Sequence, residues 1–235
     1  MSPTQSAPAE NRLLAALPRK DGKRFLAGCE PVELVFAEVL AEAGKRFRHV
    51  YFPTDSLISL VAQTDGRASL EVGLIGNEGM LGTPFVLGLD VSPLHAVVQC
   101  GGMALRMEAA PFRHELGLSS ALYRLLQRYL YVEMCRLAQT AACTRFHVVE
   151  ARLARWLLMT QDRTHSAQFH VTQEFLAYML GVRRVGITKA ATSLQNQKLI
   201  SYRRGDITIL DRAGLEAASC GCYKADKASY ARMLT

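Results

Sequence analysis

Residues Thr172 to Leu194 read TQEFLAYMLGVRRVGITKAATSL and concentrate the groups best suited to chemistry. Arg183, Arg184, Val185, Thr188, Lys189 and Thr192 fall on one face if the segment is helical. A guanidinium fork at Arg184 matches the O6/N7 edge of guanine, an interaction of about 1–3 kcal/mol in base discrimination. Lys189 can do the same or hold a phosphate. Thr172 and Gln173, where the preceding helix would start, suit phosphate contacts. A second cationic pair, Arg203 and Arg204, sits in an Arg-Arg-Gly-Asp turn and would lie beside phosphates. This is the chemistry of nucleic-acid recognition. Catalysis has little support: the sequence offers no Gly-rich phosphate loop, paired metal ligands or Ser/His/Asp set in a recognisable context.

Such groups need rigid elements to hold them. Thr172 can cap a helix whose first turn contains Glu174, running to Leu180 and ending at Gly181. A second helix is expected over about 183–197. Ala177 is small where two helices would approach closely, and Gly181 follows four residues later. Leu176, Leu180, Val182, Ile187 and Ala190 supply the buried offsets of a helix-turn-helix, an ordinary helical hairpin being the alternative. Leu199–Tyr202 and Ile207–Leu210 then read as strands of a hairpin with Gly205 at the turn, a wing. Asp211 is placed to cap a last helix.

Upstream, no Gly or Pro occurs between Leu118 and Gly181. Leu122, Leu125, Leu126, Tyr129 and Val132 form an apolar stripe on a long helix. It can pack on its own domain or pair with a twin; the second reading makes these five residues a dimerisation face. Another helix is expected from Phe146 to Gln161, with Val148, Leu153, Trp156, Leu157 and Met159 as its apolar side. Val50–Phe52, Ser56–Ala62, Ser69–Ile75, His95–Cys100 and Met103–Met107 read as short strands. Thr64–Arg67 is a hairpin turn between two of them. Asn11–Leu17 and a segment around Pro31 to Val39 read as short helices, and residues 1–10 as a flexible tail.

Charge follows the same division. Residues 1–145 hold 15 Lys/Arg against 14 Asp/Glu, whereas residues 146–235 hold 13 against 7. The net +6 of the last 90 residues points to a polyanion partner. The composition, 49% hydrophobic and 21% charged, is that of a globular chain. No stretch resembles a membrane span or a secretory signal, so a cytoplasmic protein without membrane contact is expected. Six cysteines are scattered except for Cys220-Gly-Cys222. That pair can hold a metal or respond to oxidants, but reads more simply as two thiols near a helix end. No metal or cofactor is expected.

Taken together, these features resemble the Crp/Fnr family of bacterial transcription regulators. The resemblance runs from about Asn11 to Leu215. It is most specific in Val171–Leu210 and in His49-Val-Tyr-Phe-Pro53 with Gly76-Asn-Glu-Gly-Met-Leu-Gly82. It implies an α+β chain: a jelly-roll-like antiparallel β-roll of the cyclic-nucleotide-binding type over 11–117, a long dimerisation helix over 118–145 and a winged helix-turn-helix over 146–235. It also implies a homodimer reading a two-fold-related DNA site.

The departures are as informative. Members that bind cyclic nucleotides hold the ribose with a Gly-Glu pair and the phosphate with an Arg-Ser/Thr-Ala run. Here Gly82-Thr83-Pro84 and Leu94-His95-Ala96 stand in those places. Without the guanidinium, cAMP and cGMP are not expected to be effectors. Only Cys29 lies where iron–sulfur members carry several cysteines, and His49 and His95 read as structural. Val185 replaces the acidic residue common after the arginine, so a different half-site is expected. The sequence thus predicts a non-enzymatic, homodimeric DNA-binding regulator with an unknown effector, contacting RNA polymerase if it activates. The alternatives are a small-molecule-binding signalling module without working DNA contact and a cupin-like enzyme.

Overall fold

A computed structural model describes residues 10–64 and 69–234. The tail expected over 1–10 lies outside the described residues apart from exposed Glu10, as do Asp65, Gly66 and Arg67 of the expected turn. Two compact units result: one holds the chain to Ile58 and Ile75–Leu130, the other Ser59–Leu74 and Tyr131–Met233.

In the first part of the chain, α1 (Arg12–Ala15) and α2 (Arg19–Ala27) precede β1 (Glu30–Leu34), β2 (Val39–Ala41) and β3 (His49–Pro53). Then come β4 (Leu57–Gln63), β5 (Ser69–Ile75), a short 3-10 helix (Thr83–Leu87), β6 (His95–Cys100), β7 (Gly102–Glu108) and α3 (Ala109–Leu118). One antiparallel sheet has the order β1-β7-β3, another the order β2-β6-β4-β5. All five strands expected from alternating texture form. The expected helix around Pro31–Val39 does not; β1 and β2 occupy it. Val32 and Leu34 favour extended backbone, and β1 is an edge strand, where a proline without an N–H is tolerated.

Asn11 caps α1 by accepting from the Leu14 N–H at 3.0 Å. Its amide also donates to the carbonyls of Pro53 and Gly79 at 2.8 and 2.9 Å, fastening α1 to the β-roll. Phe25, Phe52, Phe85 and Phe112 form a core of edge-on rings, with centroids 5.3 Å apart for Phe25–Phe52 and 5.7 Å for Phe85–Phe112.

The long helix, α4 (Ser120–Phe146), is unbroken. Its apolar stripe corrects an expectation. Leu122, Leu126, Tyr129 and Val132 are at most 1% exposed within a single chain, and Leu125 is half-buried. These residues pack internally and present no dimerisation face. Gly79 shows how closely: a Cβ there would stand 2.0 Å from the Tyr129 hydroxyl. Away from that stripe α4 exposes Tyr131 and Met134, and on its flank Leu137.

The second unit continues with α5 (Val149–Thr164), β8 (Gln168–His170), α6 (Gln173–Leu180) and α7 (Arg184–Asn196). It ends with β9 (Ile200–Arg203), β10 (Asp206–Ile209), α8 (Arg212–Ala218) and α9 (Cys222–Leu234). In α5, Leu153, Trp156, Leu157 and Met159 are buried as expected, but Val148 precedes the helix and is exposed. Asp211 caps α8, accepting from the Gly214 N–H at 2.9 Å, yet α8 is not the last helix, because α9 follows. Glu71 of β5 is buried, accepting from the Ser59 hydroxyl at 2.6 Å and the Trp156 indole at 2.9 Å. Burial pushes its carboxyl up to about 7, against the lowering effect of those two bonds. Among the described residues no helix is long and apolar enough to cross a membrane.

Candidate nucleic-acid interface

The Thr172 hydroxyl oxygen accepts from the Phe175 N–H at 3.1 Å and so starts α6. Its O–H proton stays available to donate. Gly181 ends α6 at φ +61°, the left-handed conformation that a glycine adopts without strain. Val182 reaches back, its N–H donating to the Ala177 carbonyl at 3.1 Å. The chain then turns directly into α7. Leu176, Leu180, Ile187, Ala190, Ala191 and Leu194 are buried between the helices, while Val182 is half-buried.

That packing fixes which side of α7 faces water. Arg183, Arg184, Val185, Thr188, Lys189 and Thr192 are all exposed, as the spacing requires. Arg183 is the residue before the helix rather than its first turn. The Thr188 hydroxyl is 2.7 Å from the Gln173 side-chain oxygen and 3.1 Å from the Arg184 carbonyl oxygen. Gln173 therefore joins the start of α6 to the middle of α7. Its amide nitrogen is left for an outside acceptor.

The wing forms as expected, with a third strand that the sequence did not reveal. β8 pairs with β10, giving the order β8-β10-β9. The three residues of β8 are too few for an alternating pattern to stand out. Arg204 at φ +53° and Gly205 at φ +92° make the tight turn. Positive φ at both positions matches the right-handed twist of the two strands. The tip carries exposed Arg203 and Arg204. His170 and Asp206 pair behind it at 2.8 Å, so one carboxylate tempers the local charge.

Tyr202 supports the wing from beneath, donating to the Val171 carbonyl at 2.7 Å. Burial raises its phenol to about 12, so it remains a donor. Two sets of cations contrast. Arg155 and Arg212 are held by Asp226, Asp162 and Glu216 at 2.5–3.1 Å. Arg183, Arg184, Lys189, Arg203 and Arg204 make no ion pair among the described residues. An array of exposed cations without carboxylate partners has the charge that phosphates require.

Residues 151–218 match the family model of the Crp-like helix-turn-helix domain. No curated protein sequence matches the chain. Among solved structures, similarity extends over most of the molecule. The c-di-GMP-responsive global regulator CLP of Xanthomonas campestris is 16% identical with a TM-score of 0.66, covering 82% of this chain and 99% of that one. FixK2 of Bradyrhizobium japonicum is 12% identical with a TM-score of 0.68, covering 82% and 98%. A CRP-family transcriptional regulator from Thermus thermophilus is 21% identical with a TM-score of 0.66, covering 80% and 96%. The chain carries a Crp-like helix-turn-helix domain within the fold of Crp/Fnr regulators.

Proposed function

We propose that the protein is a homodimer that reads a two-fold-related DNA site, with α7 lying in the major groove. The observation that carries this reading is the exposed face of α7, whose cations make no ion pair among the described residues, above a buried apolar side. Arg184 and Lys189 read base edges or hold phosphate, and Val185 offers an apolar contact such as a thymine methyl group would accept. Arg183, Thr188 and Thr192 complete the face. Thr172, Gln173, Arg203 and Arg204 hold the backbone on either side.

The dimer forms along the exposed side of α4, through Tyr131, Met134 and Leu137, because the stripe on its other side is already packed. The β-roll senses an effector other than cAMP or cGMP. His95, half-buried at the start of β6, replaces the phosphate arginine of cyclic-nucleotide binders, and Thr83-Pro84 replaces the ribose carboxylate. The neighbour CLP responds to c-di-GMP, which makes cyclic dinucleotides the first class to test here. The protein works in the cytoplasm and, where it activates, touches RNA polymerase.

The test is capture of random genomic DNA fragments at about physiological ionic strength, followed by sequencing. Recovery of an inverted repeat with half-sites about one helical turn apart is the expected result. Failure with every candidate effector, or recovery unchanged by the double substitution Arg184→Ala and Lys189→Ala, would leave the signalling-module reading in its place.

A further inference from the structure

Packing within the second unit gathers four side chains that lie far apart in the sequence. Cys143 lies near the end of α4, and His147 follows one turn later. The His147 N–H bonds the Cys143 carbonyl at 3.1 Å, so the two side chains project from the same face of the helix. Cys220 and Cys222 flank Gly221 where α8 gives way to α9. The four ligand atoms all lie within 4.8 Å of one another. Cys143 Sγ is 3.5 Å from Cys220 Sγ, and Cys222 Sγ is 3.5 Å from His147 Nδ1. The three cysteines are buried, and His147 is exposed.

We propose that Cys143, His147, Cys220 and Cys222 form a tetrahedral Cys3His site for Zn(II). A zinc ion with sulfur ligands at about 2.3 Å and nitrogen at about 2.0–2.1 Å holds its ligand atoms roughly 3.6–3.8 Å apart. The two separations of 3.5 Å sit just inside that spacing, and the mutual limit of 4.8 Å asks for a contraction of at most about 1 Å. The donor set is the soft one that zinc selects. A multi-iron cluster places its cysteines on different irons and needs a wider arrangement. A Cys143–Cys220 disulfide would use two of the four groups and leave Cys222 and His147 without a role.

The surroundings suit thiolates. The Gln139 amide donates to Cys222 Sγ at 2.9 Å, an outer hydrogen bond of the kind that orients a metal ligand. Three thiolates around Zn(II) carry one net negative charge. Arg152 and Arg155 both lie close enough to Cys143 to interact with it electrostatically. Arg155 is matched by Asp226, and Arg152 supplies the offsetting positive charge. Zinc here would tie the end of α4 to the start of α9, closing a loop of more than seventy residues around the helix-turn-helix. Structural zinc bound in this way contributes folding energy outright.

The test uses the full-length protein, purified without added metal and reduced under anaerobic conditions. Zn(II) and then Co(II) are supplied as probes. One equivalent of zinc surviving gel filtration is expected, together with a Co(II) spectrum showing tetrahedral d–d intensity and thiolate charge transfer. Cys143→Ser and Cys222→Ser are expected to abolish that spectrum, whereas Cys29→Ser leaves it intact. His147→Ala removes the exposed ligand and disturbs the core least. It is expected to keep the circular dichroism of the parent and to weaken zinc binding at least ~10-fold. Absence of retained metal, an octahedral Co(II) spectrum, or a metal-free Cys143–Cys220 disulfide in its place would each overturn the proposal.

Discussion

The helices α4 and α7 both announce themselves by periodicity, yet they show their function in opposite ways. In α7 the apolar positions pack against α6 and the polar remainder is exposed, as the spacing requires, and that exposed face is the one proposed to meet DNA. In α4 the apolar stripe is consumed inside the chain, and any partner must meet the other side, where Tyr131, Met134 and Leu137 stand among polar residues. Apolar spacing tells which side of a helix is buried. It does not tell whether the covering surface comes from the same chain or from another.

The contrast can be tested by substitution. Leu126→Ala removes a side chain that is 0% exposed and is expected to cost about 2–5 kcal/mol of stability, read as a lowered urea midpoint. A loss of dimer with unchanged monomer stability would reverse the assignment of the two sides of α4. Arg184→Ala with Lys189→Ala should leave the urea midpoint in place and weaken specific DNA binding by about 1–3 kcal/mol per residue. Titration of the protein onto its selected site measures this. A result confined to stability would deny the exposed side of α7 its role.

Met134→Glu places a charge on the outer side of α4. Sedimentation should then show a monomer whose stability stays within about 0.5 kcal/mol of the parent. An undisturbed dimer would move the interface elsewhere. Glu71→Gln sharpens the same distinction through pH. Because burial holds the Glu71 carboxyl near 7 in the folded chain, folding favours its protonated form. Its contribution is complete below the ordinary value of 4.5 and is lost as the pH rises through about 7. The urea midpoint of the parent, compared with that of Glu71→Gln, should therefore decline between those limits. Parallel pH profiles for the two proteins would show that Glu71 is solvated rather than enclosed.

Much of the fold was legible because its signals are local. Alternation marked β3 to β7, and Gly181, Arg204-Gly205 and Asp211 marked a helix end, a turn and a cap. Where local signals conflicted, the reading failed. The segment around Pro31 to Val39 read as a short helix, whereas the place of Pro31 on a sheet edge accommodates a strand. In α2, Arg19, Lys20, Asp21, Lys23 and Arg24 outnumber the apolar residues, and Gly22 interrupts them, so the helix left no pattern. The α7 face and wing tip were legible because exposed cations at helical or turn spacing have few other uses. The cysteine–histidine group was half legible. Cys220-Gly-Cys222 stood out, but Cys143 and His147, at helical i and i+4, join it only when the chain between them folds back.

The residue that leads into α7, Arg183, makes no side-chain cap; its carbonyl accepts from the Gly186 N–H at 2.8 Å, and the N–H groups of Arg184 and Val185 have no capping side chain among the described residues. A better-capped helix is a single change away. Arg183→Asp is expected to raise the unfolding midpoint by about 1 kcal/mol of stability while weakening DNA binding, since a carboxylate would then occupy the place of a phosphate. The free protein is therefore held below its own stability optimum at the end of the helix proposed to meet DNA. Bound as proposed, a DNA phosphate would act as the missing cap, and binding should raise the thermal stability of this domain more than that of the β-roll.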